Sequence, residues 1–227
     1  MFSEIKYVLL DVDNTLLDFD AGAREAAKKA FVKWGLDPAR YDHAVFTRIN
    51  DSLWSALERG ELARSEIHRT RWTKIFDALG IDADGELFEA AFLSAIPESV
   101  VPVEGAVDLL SYLSKKYPLY AASNAPHEQQ KKRLKAAGML DFFSDVFTSE
   151  RLGAAKPSSA FFDGVFRTLP NVAPSHCVMI GDSLSADIVG GARYGLKTVF
   201  FDFKRTMQTS PFADCTVFSL ATVQNLL

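Results

Sequence analysis

A run of apolar residues that ends in two closely spaced aspartates constrains the fold of this chain more than any other feature. Tyr7–Leu10 is apolar throughout, which is typical of a strand buried on both faces of a parallel sheet. Asp11 and Asp13 follow that strand directly, with one residue between them. Two carboxylates held a few ångströms apart repel by roughly 4 kcal/mol at an effective dielectric constant near 20. We therefore expect a bound cation, and a metal and phosphate site, at this end of the sheet.

The composition favours a globular enzyme rather than a nucleic-acid-binding or membrane protein. Of the 227 residues, 48% are hydrophobic and 24% are charged, which argues against disorder. A formal net charge of −4 offers no electrostatic attraction to a phosphate backbone. No apolar run approaches the ~18 residues of a membrane span, and the first predicted strand begins too early to leave room for a signal peptide. We expect a cytoplasmic protein with no nucleic-acid polymer and no membrane as partner.

Two local patterns are interpreted as structural. Cys177 lies in the apolar run Cys177–Ile180, and we expect it to be a buried thiol without a disulfide partner. The basic run Lys131-Lys132-Arg133 is interpreted as the solvent-exposed face of a helix.

A long helical stretch follows the first strand. Apolar residues recur at helical spacing between Ala21 and Ala95 without strand-like alternation, and Gly35, Gly60 and Gly80 mark helix ends. This pattern predicts an all-helical cap domain over residues 18–97, inserted into a core made of residues 1–17 and 98–227. The predicted helices are Ala21–Trp34, Asp42–Arg59, Ser65–Leu79 with Ser65 as its N-cap, and Glu86–Ala95.

From Pro102 onward, strands and helices alternate. Such alternation predicts an α/β fold, a doubly wound Rossmann-like parallel sheet with right-handed crossovers. The predicted strands of this part are Leu119–Ala122, Asp145–Thr148, Cys177–Ile180, Thr198–Phe201 and Thr216–Phe218. The last long helix is predicted over Asp187–Tyr194.

Polar residues follow further strands of this predicted sheet. Ser123 and Asn124 come after one strand, Lys156 lies downstream of the next, and Asp182 follows a third, with Asp187 on the next turn. In a parallel sheet these strand ends meet at the same edge. Carboxylate and carbonyl oxygens suit Mg²⁺, and a hydroxyl, backbone N–H groups and an ammonium suit phosphoryl oxygens. The set therefore predicts phosphoryl transfer with Mg²⁺ as cofactor.

These motifs, taken in order, resemble those of the haloacid dehalogenase-type phosphohydrolases. They are DVDNT at 11–15, SN at 123–124, KP at 156–157 and GDSLSAD at 181–187. The resemblance implies that Asp11 is the nucleophile, that Asp13 is the general acid and base, and that Asp11, the main-chain carbonyl of Asp13 and Asp182 hold Mg²⁺. It further implies that Ser123 and the N–H of Asn124 bind phosphoryl oxygens, that Lys156 neutralises charge, that Asp187 orients Lys156 or a metal-bound water, and that Thr15 orients the loop of Asp11.

A closer resemblance, to bacterial pyrimidine 5′-nucleotidases, extends into the predicted cap. It implies a nucleoside monophosphate substrate and possible contacts to base or ribose from four residues of the cap region: Phe19, Asn50, Trp54 and Arg71. An alternative for Trp54 is that it belongs to the core of the cap.

Other functions remain open at this point. The core motifs are equally compatible with a sugar-phosphate phosphatase or a β-phosphoglucomutase-like phosphotransferase. A receiver-like switch that is phosphorylated on an aspartate belongs to a different functional class, and the long insert and Asp13 argue against it.

Overall fold

The chain forms two compact units in a computed structural model that describes residues 2–169 and 171–227. One is an α/β unit that extends to Asp18 and resumes at Val101, and the other is a helical unit, Phe19–Val100. The sequence predicts the corresponding insert at 18–97. In the part of the chain that the structure describes, no helix is both long and apolar enough to cross a membrane.

A six-stranded parallel sheet lies at the centre of the α/β unit and confirms the predicted fold class. Its spatial order is β3-β2-β1-β4-β5-β6. The strands are β1 (Tyr7–Leu10), β2 (Leu119–Ser123), β3 (Phe143–Thr148), β4 (Cys177–Gly181), β5 (Lys197–Phe201) and β6 (Cys215–Val217). β1 pairs with β2 on one side and with β4 on the other, so the strand order reverses beside β1. Ligands of open α/β sheets bind outside the carboxyl ends of the strands at such a switch point.

The helical unit contains four α-helices in its described residues. Asp42 and Asp84 begin two of them by accepting hydrogen bonds from backbone N–H groups of the first turn. Gly80 ends another in the left-handed conformation, at φ 62°. The predicted N-cap Ser65 is wrong, because that helix already begins at Arg64, after Ala63, without a side-chain cap. The helices are α1 (Phe19–Lys33), α2 (His43–Glu58), α3 (Arg64–Leu79) and α4 (Gly85–Ala95).

Aromatic side chains fill the core of the helical unit. Trp72 is fully buried, and its ring centroid lies 4.6 Å from that of Phe88 and 5.2 Å from that of Phe92. Both pairs meet edge to face, the geometry that aromatic quadrupoles favour. Small alanines of α1 pack against the same cluster, which allows the helices to approach closely.

Further helices flank the sheet of the α/β unit. They are α5 (Ala106–Leu113), α6 (His127–Ala136), α7 (Ser149–Leu152), α8 (Ser159–Thr168), α9 (Gly190–Tyr194) and α10 (Leu220–Val223). The predicted helix Asp187–Tyr194 is corrected, because a wider π-helical turn covers Leu184–Val189 and α9 begins only at Gly190. This turn starts at Ser183, whose side chain accepts the N–H of Ala186, and it brings the Asp187 carboxylate back to the N–H of Ser183 at 3.0 Å.

The prediction for Cys177 is confirmed. The thiol is buried in the apolar cluster beside the sheet and forms no disulfide. Burial raises its pKa to about 12, so it remains protonated and behaves as a small apolar side chain.

Candidate active site

The polar residues predicted to follow the strands do so in the structure. Asp11 follows β1, Ser123 ends β2, and Asp182 follows β4. These three strands are adjacent in the parallel sheet, so their carboxyl ends lie along one edge. Thr15 is fully buried and donates its hydroxyl to Asp11 Oδ2 at 3.2 Å, a contact that fits the predicted orienting role.

The ammonium of Lys156 is the centre of the site. It is buried and donates to Asp11 Oδ1 at 2.8 Å, to Asp187 Oδ1 at 2.6 Å and to the carbonyl of Ala122 at 2.6 Å. Burial opposes the charged form, but the two carboxylates outweigh it and raise the pKa of Lys156. The ammonium is therefore a permanent positive charge with all three donors engaged.

Asp182 adds a third carboxyl group to the two that accept from this ammonium. One oxygen each of Asp11, Asp182 and Asp187 lies within 4.8 Å of the others. Burial is the main cause that raises the pKa of Asp11 to about 7, and the charges of Asp187 and Asp13 add to it against the opposing Lys156. Burial, followed by the charges of Asp11 and Asp187, also raises the pKa of Asp182 well above its ordinary value. Ionisation of all three carboxyl groups beside one ammonium would leave an excess of negative charge, which an oxygen-binding divalent cation would offset.

Gly181 allows Asp187 to reach this cluster, a role that the sequence did not reveal. A Cβ at position 181 would lie 2.2 Å from Asp187 Oδ2, a separation that atoms do not tolerate. Only glycine at the end of β4 therefore leaves room for that carboxylate.

The side chain of Asn124 makes two contacts that the sequence did not predict. Its Oδ1 accepts the backbone N–H of Lys156 at 2.9 Å, and its Nδ2 donates to the Lys156 carbonyl at 3.0 Å. This reciprocal pair fixes the loop that carries Lys156. The binding of a phosphoryl oxygen by the Asn124 N–H stays a prediction.

The neighbouring hydroxyl, Ser123 Oγ, is buried at the end of β2. It accepts the N–H of Ala125 at 3.1 Å and the Gln130 amide at 3.0 Å. With these two donors directed at the oxygen, its own hydrogen can point to a ligand oxygen.

The Asp13 carboxylate has two hydrogen-bond partners that the sequence did not reveal. Gln130 Nε2 donates to its Oδ2 at 2.9 Å, and Arg133 Nη1 donates to its Oδ1. The interpretation of Lys131-Lys132-Arg133 as an exposed face is wrong for Arg133, which is only 4% exposed. Arg133 lies on the same side of α6 as Gln130 and is held there by the ion pair with Asp13.

The predicted substrate contacts of the helical unit are engaged with one another. Asn50 Oδ1 accepts from Trp54 Nε1 at 3.2 Å and from Arg71 Nη1 at 3.0 Å. Arg71 also pairs with Glu89 at 2.5 Å, and its guanidinium lies 4.8 Å from the ring centroid of Phe92. Asn50 and Arg71 are buried, whereas Trp54 is half-buried. Phe19 begins α1 and packs against the aromatic core. The substrate-contacting role of these four residues stays a prediction.

Comparison with known proteins shows that this chain is similar to hydrolases. The family model described as haloacid dehalogenase-like hydrolase matches residues 5–195. The HAD-hydrolase YfnB of Bacillus subtilis is 36% identical over 195 residues, which cover 86% of this chain and 83% of YfnB. Its crystal structure, bound to magnesium, covers 98% of both chains at 32% identity with a TM-score of 0.90.

Two further relatives have names that state an activity. The pyrimidine 5′-nucleotidase PynA of Streptococcus pneumoniae is 32% identical and covers 87% of this chain and 84% of its own length. The pyrimidine 5′-nucleotidase YjjG of Escherichia coli is 28% identical, with 97% of both chains covered.

Proposed function

This chain belongs to the haloacid dehalogenase-like hydrolase family, and we propose that within it the chain is a Mg²⁺-dependent phosphomonoester hydrolase acting through an aspartyl-phosphate. The observation that carries the proposal is the buried Lys156 ammonium between Asp11 and Asp187, with Asp182 in the same cluster. An ammonium and carboxylate oxygens at the strand ends are the groups that phosphoryl transfer requires. The substrate partner that follows is a small phosphate ester, and a cytoplasmic location stays a prediction.

The first half of the proposed reaction transfers the phosphoryl group to the protein. An oxygen of Asp11 attacks phosphorus, and the bond between phosphorus and the ester oxygen breaks. The leaving oxygen keeps that electron pair and takes a proton from Asp13. Lys156 offsets the negative charge on Asp11 and on the phosphoryl oxygens, while Ser123 and the N–H of Asn124 orient those oxygens.

The second half releases phosphate. A water oxygen bonds to phosphorus, its proton goes to Asp13, and the bond between phosphorus and Asp11 breaks, returning its electron pair to the Asp11 carboxylate. Asp13 thereby regains the proton that it gave up in the first half, and the site returns to its starting state.

Asp11, the main-chain carbonyl of Asp13 and Asp182 are the proposed Mg²⁺ ligands. The chemistry of this donor set fits the ion, because all three offer hard oxygen atoms and the carboxylates exceed the nearby positive charge. When bound, Mg²⁺ supplies positive charge to the phosphoryl oxygens in the transition state.

The substrate that we propose is a nucleoside 5′-monophosphate with a pyrimidine base. The support is similarity: the relatives from Streptococcus pneumoniae and Escherichia coli, at 32% and 28% identity, both have names that state pyrimidine 5′-nucleotidase activity. Similarity over 87% and 97% of this chain includes the helical unit as well as the sheet.

The test is phosphate release from a panel of phosphate esters, with Mg²⁺ and with a chelator. We expect dUMP, UMP and dTMP to be hydrolysed fastest, and chelation to stop the reaction. Faster hydrolysis of sugar phosphates would agree with the proposed phosphatase mechanism but would contradict the proposed nucleotide substrate. Conversion of β-glucose 1-phosphate to its 6-phosphate isomer would indicate a mutase, and absence of release from every ester would reject the hydrolase proposal.

A further inference from the structure

The Asp13 carboxylate is held by two buried side chains of α6. Gln130 and Arg133 lie three residues apart on this helix and are 0% and 4% exposed. Gln130 Nε2 donates to Asp13 Oδ2 at 2.9 Å, and Arg133 Nη1 donates to Asp13 Oδ1. Arg133 Nη1 also donates to Gln130 Oε1 at 2.8 Å, so the two side chains fix each other as well as Asp13.

The donors fix the direction of these hydrogen bonds. Amide and guanidinium nitrogens are donors only, so both carboxylate oxygens of Asp13 act as acceptors. Each carboxylate oxygen has a second acceptor position, so a proton can be exchanged with substrate or water while the contacts to α6 are kept. The two contacts therefore fix the position of the Asp13 carboxylate for proton transfer.

Gln130 also connects Asp13 to a proposed phosphate-binding residue. The same Nε2 that donates to Asp13 lies 3.0 Å from Ser123 Oγ. One buried amide therefore positions both the proposed base and a hydroxyl proposed to orient the phosphoryl group, which ties their relative placement to a single side chain.

We propose that Gln130 and Arg133 are positioning residues that orient the Asp13 carboxylate for proton transfer. This inference rests on the proposed function. The second half-reaction depends on that orientation: water oxygen bonds to phosphorus, the bond from phosphorus to Asp11 breaks with its electron pair returning to Asp11, and the water proton passes to Asp13.

The two half-reactions can be separated with 4-nitrophenyl phosphate. Nitrophenolate leaves without needing a proton, so formation of the aspartyl-phosphate from this ester requires no acid from Asp13. Hydrolysis of the intermediate still requires the base. Loss of the positioning contacts should therefore slow the second step and spare the first.

The experiment is rapid-mixing measurement of nitrophenolate release in the presence of Mg²⁺ by the wild-type protein, Arg133→Met, Arg133→Lys and Gln130→Met. Lys132→Met is the matched control, because Lys132 is the exposed neighbour of Arg133 on α6. For Arg133→Met we expect a burst near one nitrophenolate per chain, followed by steady turnover at least about tenfold slower than that of the wild type. This slowing is smaller than the full loss of acid–base catalysis would cause. Arg133→Lys should recover part of the loss, and the control should match the wild type.

The outcomes distinguish the inference from the proposed function. Gln130→Met introduces no charge and keeps Arg133, so a burst with slowed turnover in this variant supports the inference even if Arg133→Met fails to fold. Two results would overturn the inference without contradicting the proposed phosphatase activity. One is wild-type turnover in folded Gln130→Met and Arg133→Lys, and the other is an equal slowing of the burst and of the steady-state rate. A wild-type protein that hydrolyses no phosphate ester would overturn the proposed function and this inference with it.

Discussion

In the α/β unit, Asp11 and Asp187 pair with the ammonium of Lys156, and Asp182 adds a third carboxyl group to the cluster. In the helical unit, the guanidinium of Arg71 is matched by Glu89 and by the Asn50 amide. Both groups are largely buried, although Asp182 is half-buried. The two groups differ in charge balance, because the helical network pairs the guanidinium of Arg71 with a carboxylate, whereas the cluster at the strand ends has more carboxyl groups than cations.

This difference separates a structural network from a binding site. A buried ion pair is stabilised when its partners and hydrogen bonds are complete, and it then needs no ligand. Carboxylates in excess of nearby cations repel one another, and this repulsion adds to burial, the main cause that raises the pKa values of Asp11 and Asp182. Removal of one charge should therefore have opposite consequences for folding in the two regions.

The largest expected effect is on catalysis, from Asp11→Asn. We expect turnover to fall at least about 10⁴-fold, because an amide cannot serve as the nucleophile. The metal-free protein should be at least as stable as the wild type, because one carboxylate leaves a crowded cluster while the Asn oxygen still accepts from Lys156. Phosphate release and thermal unfolding in chelator measure the two quantities. Asp108→Asn, on the exposed face of α5, is the control.

Retained turnover in Asp11→Asn would refute the nucleophile assignment. A strong loss of stability in chelator would instead show that the cluster is balanced without a cation, and it would remove the contrast between the two regions.

The next effect in size is on stability, from Glu89→Gln in the helical unit. The substitution keeps the shape of the side chain but leaves the guanidinium of Arg71 buried without its carboxylate. Breaking a buried pair in this way costs about 3–5 kcal/mol. The shift of the urea midpoint measures the loss, and Arg71→Met combined with Glu89→Leu should recover part of it because the unpaired guanidinium is then removed.

Glu66→Gln is the matched control for that experiment. It breaks an exposed pair with Arg69 within α3, so the midpoint should hardly move. If Glu89→Gln behaves like this control, the Arg71 network does not stabilise the helical unit and is better explained by a ligand.

The two regions also differ in how far the sequence predicted them. The sequence predicted the strand Tyr7–Leu10, and it predicted that Asp11, Ser123 and Asp182 lie at strand ends. A buried parallel strand is a continuous apolar run, and the first polar residue marks its end. The helical unit was predictable as four helices for a similar reason, since apolar spacing and terminal glycines are local signals.

Contacts between residues far apart in the sequence could not be predicted from such local signals. Arg133 stands in a run of basic residues that looks exposed, but it is buried where it pairs with Asp13, 120 residues away in the sequence. Asn50 and Arg71 resemble ligand-binding residues in the sequence, yet packing places them against each other and Glu89. The requirement for glycine at 181 likewise depends on where Asp187 lies after folding.

The smallest expected effect is a dependence of Mg²⁺ affinity on pH, and it tests the charge excess most directly. Asp11 has a pKa of about 7, raised from 3.8, so the folded metal-free protein retains a proton there that the unfolded chain has released. That proton favours folding at low pH, and its contribution is lost as the pH rises through about 7. Mg²⁺ needs the ionised carboxylate and must displace the proton below this pH. Ionisation of Asp11 alone should raise apparent affinity about tenfold between about pH 6 and about pH 8, and Asp182, whose pKa is also raised, can only add to this rise.

Calorimetric titration with MgCl₂ at the two pH values measures this change, and NaCl at equal ionic strength controls for screening of charge. Mg²⁺ should correspondingly raise the unfolding temperature more at the higher pH, where the metal-free protein has lost the contribution of the proton. The Arg71–Glu89 pair belongs to the helical unit and is not among the proposed Mg²⁺ ligands, so at each pH value Glu89→Gln should lower stability similarly in the presence and absence of Mg²⁺. Equal Mg²⁺ affinity at both pH values would mean that Asp11 is already ionised at the lower pH without the ion, so that nearby groups stabilise its charge and no cation is needed for it.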